Sequence, residues 1–344
     1  MTAAPGPRNL ITDVGGLIVG QAQDAAARTG VTVILTPDRA VCAADVRGGA
    51  PGARETDALA PENLVAAVDA IVLAGGSVYG LAAADGVAAV LGARGEGYRL
   101  STAPGVPPSP IVPAAILYDL ANGGEKSWGE SPPFHALGAA AVRAAGETFA
   151  LGTAGAGFGA MAGRLKGGVG SASVVGDDGF TVGAIVAVNS FGSVVAPGGR
   201  TFWAAPYEIG GEFGSLGAAG LAAAPDDWGP SKGPPTGGVA EGPVNTTIAC
   251  VATDAALDPA EAKRLAIMAQ DGLARAIRPA HAPFDGDIVF ALATGRRELP
   301  ERRLAMVARL GALAADCLAR AIARGVYEAT PWPGTEVACW RDLR

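Results

Sequence analysis

An α/β protein whose helices cover stacked sheets is what this sequence predicts. Short, β-branched apolar runs alternate loosely with longer segments of helical period. The middle of the chain is unusually rich in glycine, with 51 in 344 residues, implying tight turns and close backbone approaches. Apolar residues make up 49%, enough for a substantial core in one large layered domain. These observations do not set the strand order.

Residues 1–16 read as a loose lead-in with a turn at Gly15-Gly16. Strands are expected over 17–20, 31–35 and 41–46, the last two as a hairpin through Pro37-Asp38. Arg47-Gly48-Gly49-Ala50-Pro51-Gly52 reads as an irregular loop. Pro61 suits the first turn of a helix to about 69, and 70–73 is then a buried strand ending at Gly75-Gly76. Ser77 is placed to cap a small-residue helix from 78 to about 91. Residues 111–120 read as strand, 134–145 as amphipathic helix, and 149–151 as the start of another strand. Two adjacent strands are expected at 182–188 and 193–195, around the turn Asn189-Ser190-Phe191-Gly192. Residues 207–243 lose periodicity and read as a flexible linker, too small and Gly/Pro-rich for core, so that shortening it within 215–235 should spare the finished site. Beyond it come a strand at 247–252, a helix from Pro259 to about 277 capped by Asp258, a strand at 288–292 and a long apolar helix from 303 to about 324.

The net charge of −7, with no basic block, argues against a nucleic-acid or anionic-membrane partner. The N-terminus lacks the apolar core of a signal peptide, and no stretch is apolar enough to span a membrane. Cys42, Cys250, Cys317 and Cys339 are scattered without a CxxC pair, as expected of thiols in a reducing cytoplasm.

The most informative stretch is 242–254, where an Asn245-Thr246 bond sits at the mouth of a buried strand behind the linker. A threonine hydroxyl there can attack the preceding carbonyl. Cleavage would leave Thr246 with a free α-amine, whose ordinary pKa of about 7.7–8 suits a base near neutrality. One residue would then supply both nucleophile and base. Asn245-Thr246-Thr247 also fits a glycosylation sequon, a reading that the cytoplasmic expectation removes.

Other candidates are weaker alone. Asp285-Gly286-Asp287 precedes a strand and either orients a hydroxyl or amine, or is a solvated turn. Asn189 ends a strand and either donates to an oxyanion or caps the turn. Lys166 lies among glycines; enclosed, its charge would lower a neighbouring amine's pKa. Tyr79 is either core or a hydroxyl donor. His135 and His281 are the only histidines, neither in zinc spacing, so neither metal nor cofactor is expected. Gly155-Ala156-Gly157-Phe158-Gly159-Ala160, with Asp177 beyond, loosely fits a dinucleotide fingerprint and supplies the alternative reading of an oxidoreductase.

Taken in order, several stretches resemble one family of self-processing peptidases. They are residues 10–16, 45–52, 73–81 and 165–170, then Val188-Asn189, Asn245-Thr246-Thr247 and Phe284-Asp285-Gly286-Asp287. The family includes the L-aminopeptidase/D-Ala-esterase DmpA, the β-aminopeptidases and the nylon-oligomer hydrolases. The resemblance implies a four-layer αββα sandwich of the N-terminal-nucleophile type, cut between Asn245 and Thr246 into chains 1–245 and 246–344 of a single domain. It implies Thr246 as nucleophile and base, Asn189 as oxyanion donor and Tyr79 at the substrate, with Lys166, Asp285 and Asp287 positioning and tuning Thr246. It also implies amide hydrolysis on small peptides or linear amide oligomers, by a homo-oligomer of cleaved units. Aminopeptidase members carry serine at the nucleophile position, and the Asn-Thr junction here is more similar to the nylon-oligomer hydrolases.

Overall fold

The computed structural model describes residues 3–219, 221–233 and 245–343. Its strands are β1 (Ile18–Asp24), β2 (Thr29–Val46), β3 (Ala53–Arg54), β4 (Ala67–Ala74), β5 (Ala114–Ile116), β6 (Met161–Ala162), β7 (Leu165–Lys166), β8 (Gly168–Val175), β9 (Thr181–Asn189), β10 (Thr246–Ala255) and β11 (Ile288–Arg297). The helices are α1 (Ala82–Ala93), α2 (Phe134–Arg143), α3 (Pro259–Ala269), α4 (Asp271–Ala276) and α5 (Arg303–Tyr327).

One continuous sheet runs β3-β5-β4-β2-β11-β10-β9-β8, with β1 also on β2. The 18-residue β2 pairs with β1 through residues 29–35, with β4 through 31–35 and again at 40–41, and with β11 through residues 41–46. Where a hairpin was expected at Pro37-Asp38, the pairing with β4 shifts register between Leu35 and Ala40, and the strand runs on. The shift falls between the part of β2 that pairs with β1 and the part that pairs with β11.

Alternation along the strands sorts the core into three apolar layers. Ile248, Cys250 and Ala252 of β10 join Ile185 and Ala187 of β9, Phe290 of β11 and Ile71 of β4 between the sheet halves. The opposite faces, with Val186, Val188, Ala249 and Val251, pack on α3, α4 and α5. Val31, Val33, Val72 and Ala74 pack on α1 and α2. The result is the expected αββα sandwich. Glycine in β8 has a clear cause, because a Cβ on Gly170 would meet the Ala321 carbonyl oxygen of α5 at 1.8 Å.

Several local expectations change. The helix expected at 61–69 is absent; a 3-10 turn at Asp57–Leu59 precedes β4, whose pairing with β2 claims residues from Ala67. Only Ala114–Ile116 of 111–120 is strand, 149–151 is not, and 193–195 reduces to the bridges Ser193–Arg278 and Val195–Phe202. Asp258 does cap α3, accepting from the Glu261 N–H at 2.8 Å, but the helix breaks at Gln270. Gly155–Gly157 forms a 3-10 turn leading to the β6–β7 hairpin rather than a crossover helix, and Asp177 pairs with Arg309, which sets the dinucleotide reading aside.

The expected linker is partly core. Phe213 is buried against Phe202, ring centroids 5.5 Å apart, and the Glu212 carboxylate receives Arg320 Nε at 2.6 Å and Asn9 Nδ2 at 2.6 Å. One aromatic and one buried ion pair anchor a stretch that has no period to read. Residues 220 and 234–243 of that segment lie outside the described residues. Among the described residues, no helix is long and apolar enough to cross a membrane, and all four cysteines are free and buried.

Candidate active site

The first residue of β10 is Thr246, 4% exposed. On one side β9 pairs with it antiparallel, placing Asn189 directly opposite. On the other side the parallel register with β11 extends upstream, so that Asn245 bridges Asp285. The Asn245–Thr246 peptide therefore lies between Asn189 and the Asp285-Gly286-Asp287 turn, and the sheet brings these sequence-predicted residues together.

Thr246 Oγ1 donates to the Asn245 carbonyl oxygen, and the same oxygen accepts the Gly286 N–H at 3.1 Å. A hydroxyl and a backbone donor thus converge on one carbonyl. Asn245 Oδ1, also buried, has no hydrogen-bond partner among the described residues, so this junction carries a desolvation cost.

The glycine-rich loop 47–52 seats the turn from outside. Gly48 N–H donates to the Asp287 carbonyl at 3.2 Å and Ala50 N–H to the Asp285 carbonyl at 2.8 Å. A Cβ on Gly48 would meet the Asp285 oxygen at 2.3 Å. Gly286 is equally confined, since its Cβ would lie 2.7 Å from Thr246 Oγ1 and 2.9 Å from the Ala50 oxygen. Gly286→Ala should therefore displace the hydroxyl and slow any reaction at Thr246, on the order of 10²-fold for a shift near 1 Å. The processed fraction over time checks this; wild-type processing in the variant would show that the contact is not confining.

The carboxylates do not take the Thr246 hydroxyl, which donates to the Asn245 carbonyl instead. Asp287 Oδ1 accepts the Thr247 N–H at 2.7 Å, and its Oδ2 faces His281 Nδ1 at 2.9 Å. Asp285 accepts the Ala282 N–H at 2.9 Å and the Phe191 N–H at 3.4 Å. Burial, with the charge of Asp287 beside it, pushes the Asp285 carboxyl well above its ordinary range. Asn189 Oδ1 accepts the Met161 N–H at 2.9 Å and Lys232 Nζ at 3.3 Å, while Nδ2 donates to the Tyr118 carbonyl at 3.0 Å. Two donors on Oδ1 fix which end of the amide can donate.

Lys166 is fully buried, its ammonium donating to the carbonyls of Gly157, Ala160 and Gly167 at 3.1, 2.9 and 2.7 Å. Burial pulls its pKa from 10.5 to about 7, against the opposing charges of Cys339 and Asp119. Between those values the unfolded chain holds the proton and the folded chain does not. Stability should therefore rise with pH from 7 towards 10.5, by up to about 1.4 kcal/mol per unit. Lys166→Met should lessen that slope in urea midpoints compared at neutral and mildly alkaline pH, leaving the part that the buried Lys232 contributes. An unchanged slope would mean that another group titrates.

Two side chains at the site had no place in the sequence reading. Lys232, within the expected linker, donates to the Asn189 carbonyl at 3.1 Å and faces Asp285. Burial holds its pKa well below the usual lysine value. This corrects the linker expectation, because a deletion within 215–235 that crosses Lys232 removes a contact of the site. Tyr118 lies between two cavities, one of about 290 Å³ shared with Thr246, Ser77 and Ile116, the other of about 130 Å³ shared with Asn189, Lys232 and Asp119. Tyr79 instead packs edge-on against Trp128 at 5.8 Å, 46% exposed, while its neighbours Ser77, Val78 and Leu81 line the Thr246 cavity. A tyrosine just past a short buried strand was the available signal for Tyr118; for Lys232 there was none. Among the described residues, no cluster of His, Cys, Asp and Glu is suited to a metal ion.

The helices and facing sheet halves are those of the N-terminal-nucleophile (Ntn) hydrolase fold. The L-aminopeptidase D-Ala-esterase/amidase of Ochrobactrum anthropi, described as a variant of that fold, superposes with a TM-score of 0.68 over 98% of this chain and 91% of its own, at 21% identity. The chain belongs to peptidase family S58, whose model matches residues 9–338, and it is a hydrolase of peptide or amide bonds. It is 46% identical to an uncharacterized aminopeptidase of Mycobacterium tuberculosis, across 97% of this chain and 98% of that one. It is also 32% identical to a 6-aminohexanoate-oligomer endohydrolase of an Agromyces species, across 84% and 76%.

Proposed function

We propose that the chain cuts itself between Asn245 and Thr246 and then hydrolyses amides through an acyl-enzyme on Thr246. The observation that carries this is the convergence of the Thr246 hydroxyl and the Gly286 N–H on the Asn245 carbonyl. In the first stage Oγ1 bonds to the Asn245 carbonyl carbon, and the developing oxyanion is met by Gly286. The C–N bond breaks as the Thr246 nitrogen takes the hydroxyl proton. Water then hydrolyses the ester, leaving Asn245 as a carboxylate and Thr246 with a free amine. Cleavage lets Asn245 withdraw and solvate its unpartnered Oδ1. Because β10 lies between β9 and β11, chains 1–245 and 246–344 would still share one sheet and one domain.

In the second stage the Thr246 amine takes the hydroxyl proton while Oγ1 attacks the substrate carbonyl. The leaving amine departs protonated, and water deacylates the enzyme. Asn189 presents its amide to the oxyanion. Asp285 and Asp287 hold the strand mouth and compensate the new ammonium. Burial of the strand mouth disfavours the charged form of the amine, and Lys166 and Lys232 add to this only while they hold their protons. Tyr79, one turn from the cavity wall, contacts the far end of a substrate. The substrates are small peptides or linear amide oligomers of the kind named for the Agromyces relative; the names of the mycobacterial and Ochrobactrum proteins support the alternative, an aminopeptidase with a physiological peptide substrate. The working form is a cytoplasmic homo-oligomer of cleaved units, a location that the four free thiols suit. Rapid acid quenching during turnover of an activated amide should trap the 246–344 chain carrying one acyl group. Turnover with the acyl group on any other residue would overturn the assignment of Thr246.

A further inference from the structure

We propose that His281 is a positioning residue for the Thr246 site and acts through Asp287, whose carboxylate it holds with both its main-chain N–H and its ring. This rests on the reading of Thr246 as nucleophile with Asp287 beside it, and it adds a residue that the reading does not use.

The contacts run in a chain. Asp287 is 2% exposed and accepts on both oxygens. Its Oδ1 takes the Thr247 N–H at 2.7 Å, one residue beyond the nucleophile. Its Oδ2 takes the His281 N–H at 3.0 Å and faces His281 Nδ1 at 2.9 Å. An ionised carboxylate accepts and does not donate, so the ring proton belongs on Nδ1. Two donors from one residue then meet one oxygen, while the Thr247 N–H meets the other. A carboxylate gripped at both oxygens cannot swing on its side chain. It therefore keeps the start of β10 in fixed relation to the Asp285-Gly286-Asp287 turn.

The loop between α4 and β11 is bent to make this grip. His281 has φ 58, a left-handed conformation that is unfavourable for most side chains. Its surroundings hold it there. Upstream, Arg278 N–H donates to the Ser193 carbonyl at 2.9 Å, and Ser193 N–H donates to the Arg278 carbonyl at 2.8 Å. Downstream, the Ala282 carbonyl accepts the Gly49 N–H at 3.4 Å, and the Ala282 N–H donates to Asp285 Oδ2 at 2.9 Å. Turning the chain at His281 thus aims consecutive N–H groups at the two carboxylates and adds the ring to one of them. The side chain is 25% exposed, so the ring can be removed without emptying the core.

The test compares His281→Gly with His281→Asn. Both residue types suit the left-handed backbone, and both keep the main-chain N–H on Oδ2. Only asparagine offers a side-chain N–H in place of Nδ1. On a p-nitroanilide amide, cut His281→Gly should lose about 10-fold or more in kcat, the worth of one hydrogen bond to a charged group, with KM little moved. His281→Asn should recover most of that loss, and imidazole added to His281→Gly should recover part of it. A His281→Gly chain that stays uncut until imidazole is added supports the same role. Equal losses in both variants with no rescue by imidazole, or a change confined to KM, would overturn the proposal. Asp287→Asn, assayed alongside, separates the two readings. Full rate in His281→Gly with turnover lost in Asp287→Asn would overturn the role of His281 alone. Full rate in both would remove Asp287 from the Thr246 site as well.

Discussion

Thr246→Ala should accumulate as one uncut chain with no measurable amide turnover. The variant lacks the oxygen that attacks the Asn245 carbonyl, and it lacks the nucleophile that would carry the acyl group. Loss of a hydrolase nucleophile costs on the order of 10⁶ in kcat. Thr246→Ser keeps the oxygen and removes a methyl, so it should still cleave and turn over. Denaturing electrophoresis over time, with an amide assay on the same samples, separates the two variants. Cleavage of the alanine variant at the same bond would remove intramolecular attack from the account.

The second large effect is expected at Asn189. If its amide meets the oxyanion, Asn189→Ala should lower kcat by about 10²–10³-fold and move KM much less. A change confined to KM would make Asn189 a substrate-binding residue instead. Lys232→Met removes one of the two donors that hold Oδ1, at 3.3 Å, and leaves Met161 at 2.9 Å. It should lower kcat in the same direction by less, as expected of a positioning residue. Lys232→Arg should restore part of the loss, because a cation again faces Asn189 and Asp285.

Which parts of this were legible in the sequence follows from where the information lies. Strands β9, β10 and β11 read clearly because each is apolar and β-branched on both faces, buried between the other half of the sheet and the helices. The bend of β2 did not. Pro37-Asp38 is a turn signal by local chemistry, and only the pairing of both halves of the strand with β4 turns it into a bulge. At the site, Thr246, Asn189 and Asp285 could be named from motif stretches, since each sits at a strand end where side-chain type carries meaning. The donor on the Asn245 carbonyl could not, because it is a backbone N–H; its only trace is the glycine of Asp285-Gly286-Asp287, forced by the distance to Thr246 Oγ1. Lys232 was hidden by its surroundings, as Gly229-Pro230-Ser231-Lys232-Gly233 has the composition of a loop with no partner. Phe213 and Glu212 were hidden in the same way, although both are buried. A single anchoring side chain in an aperiodic stretch leaves no pattern, and only the folded neighbours reveal it.

The central claim is that Asn245-Thr246 is cut and that the cut makes the nucleophile. Intact-mass measurement of the purified protein, with N-terminal sequencing of the smaller species, tests it most directly. The account predicts two chains that account for residues 1–245 and 246–344, the smaller beginning with unblocked Thr246, and amide turnover that rises in step with the cut fraction. A single uncut chain that hydrolyses amides at full rate would contradict it.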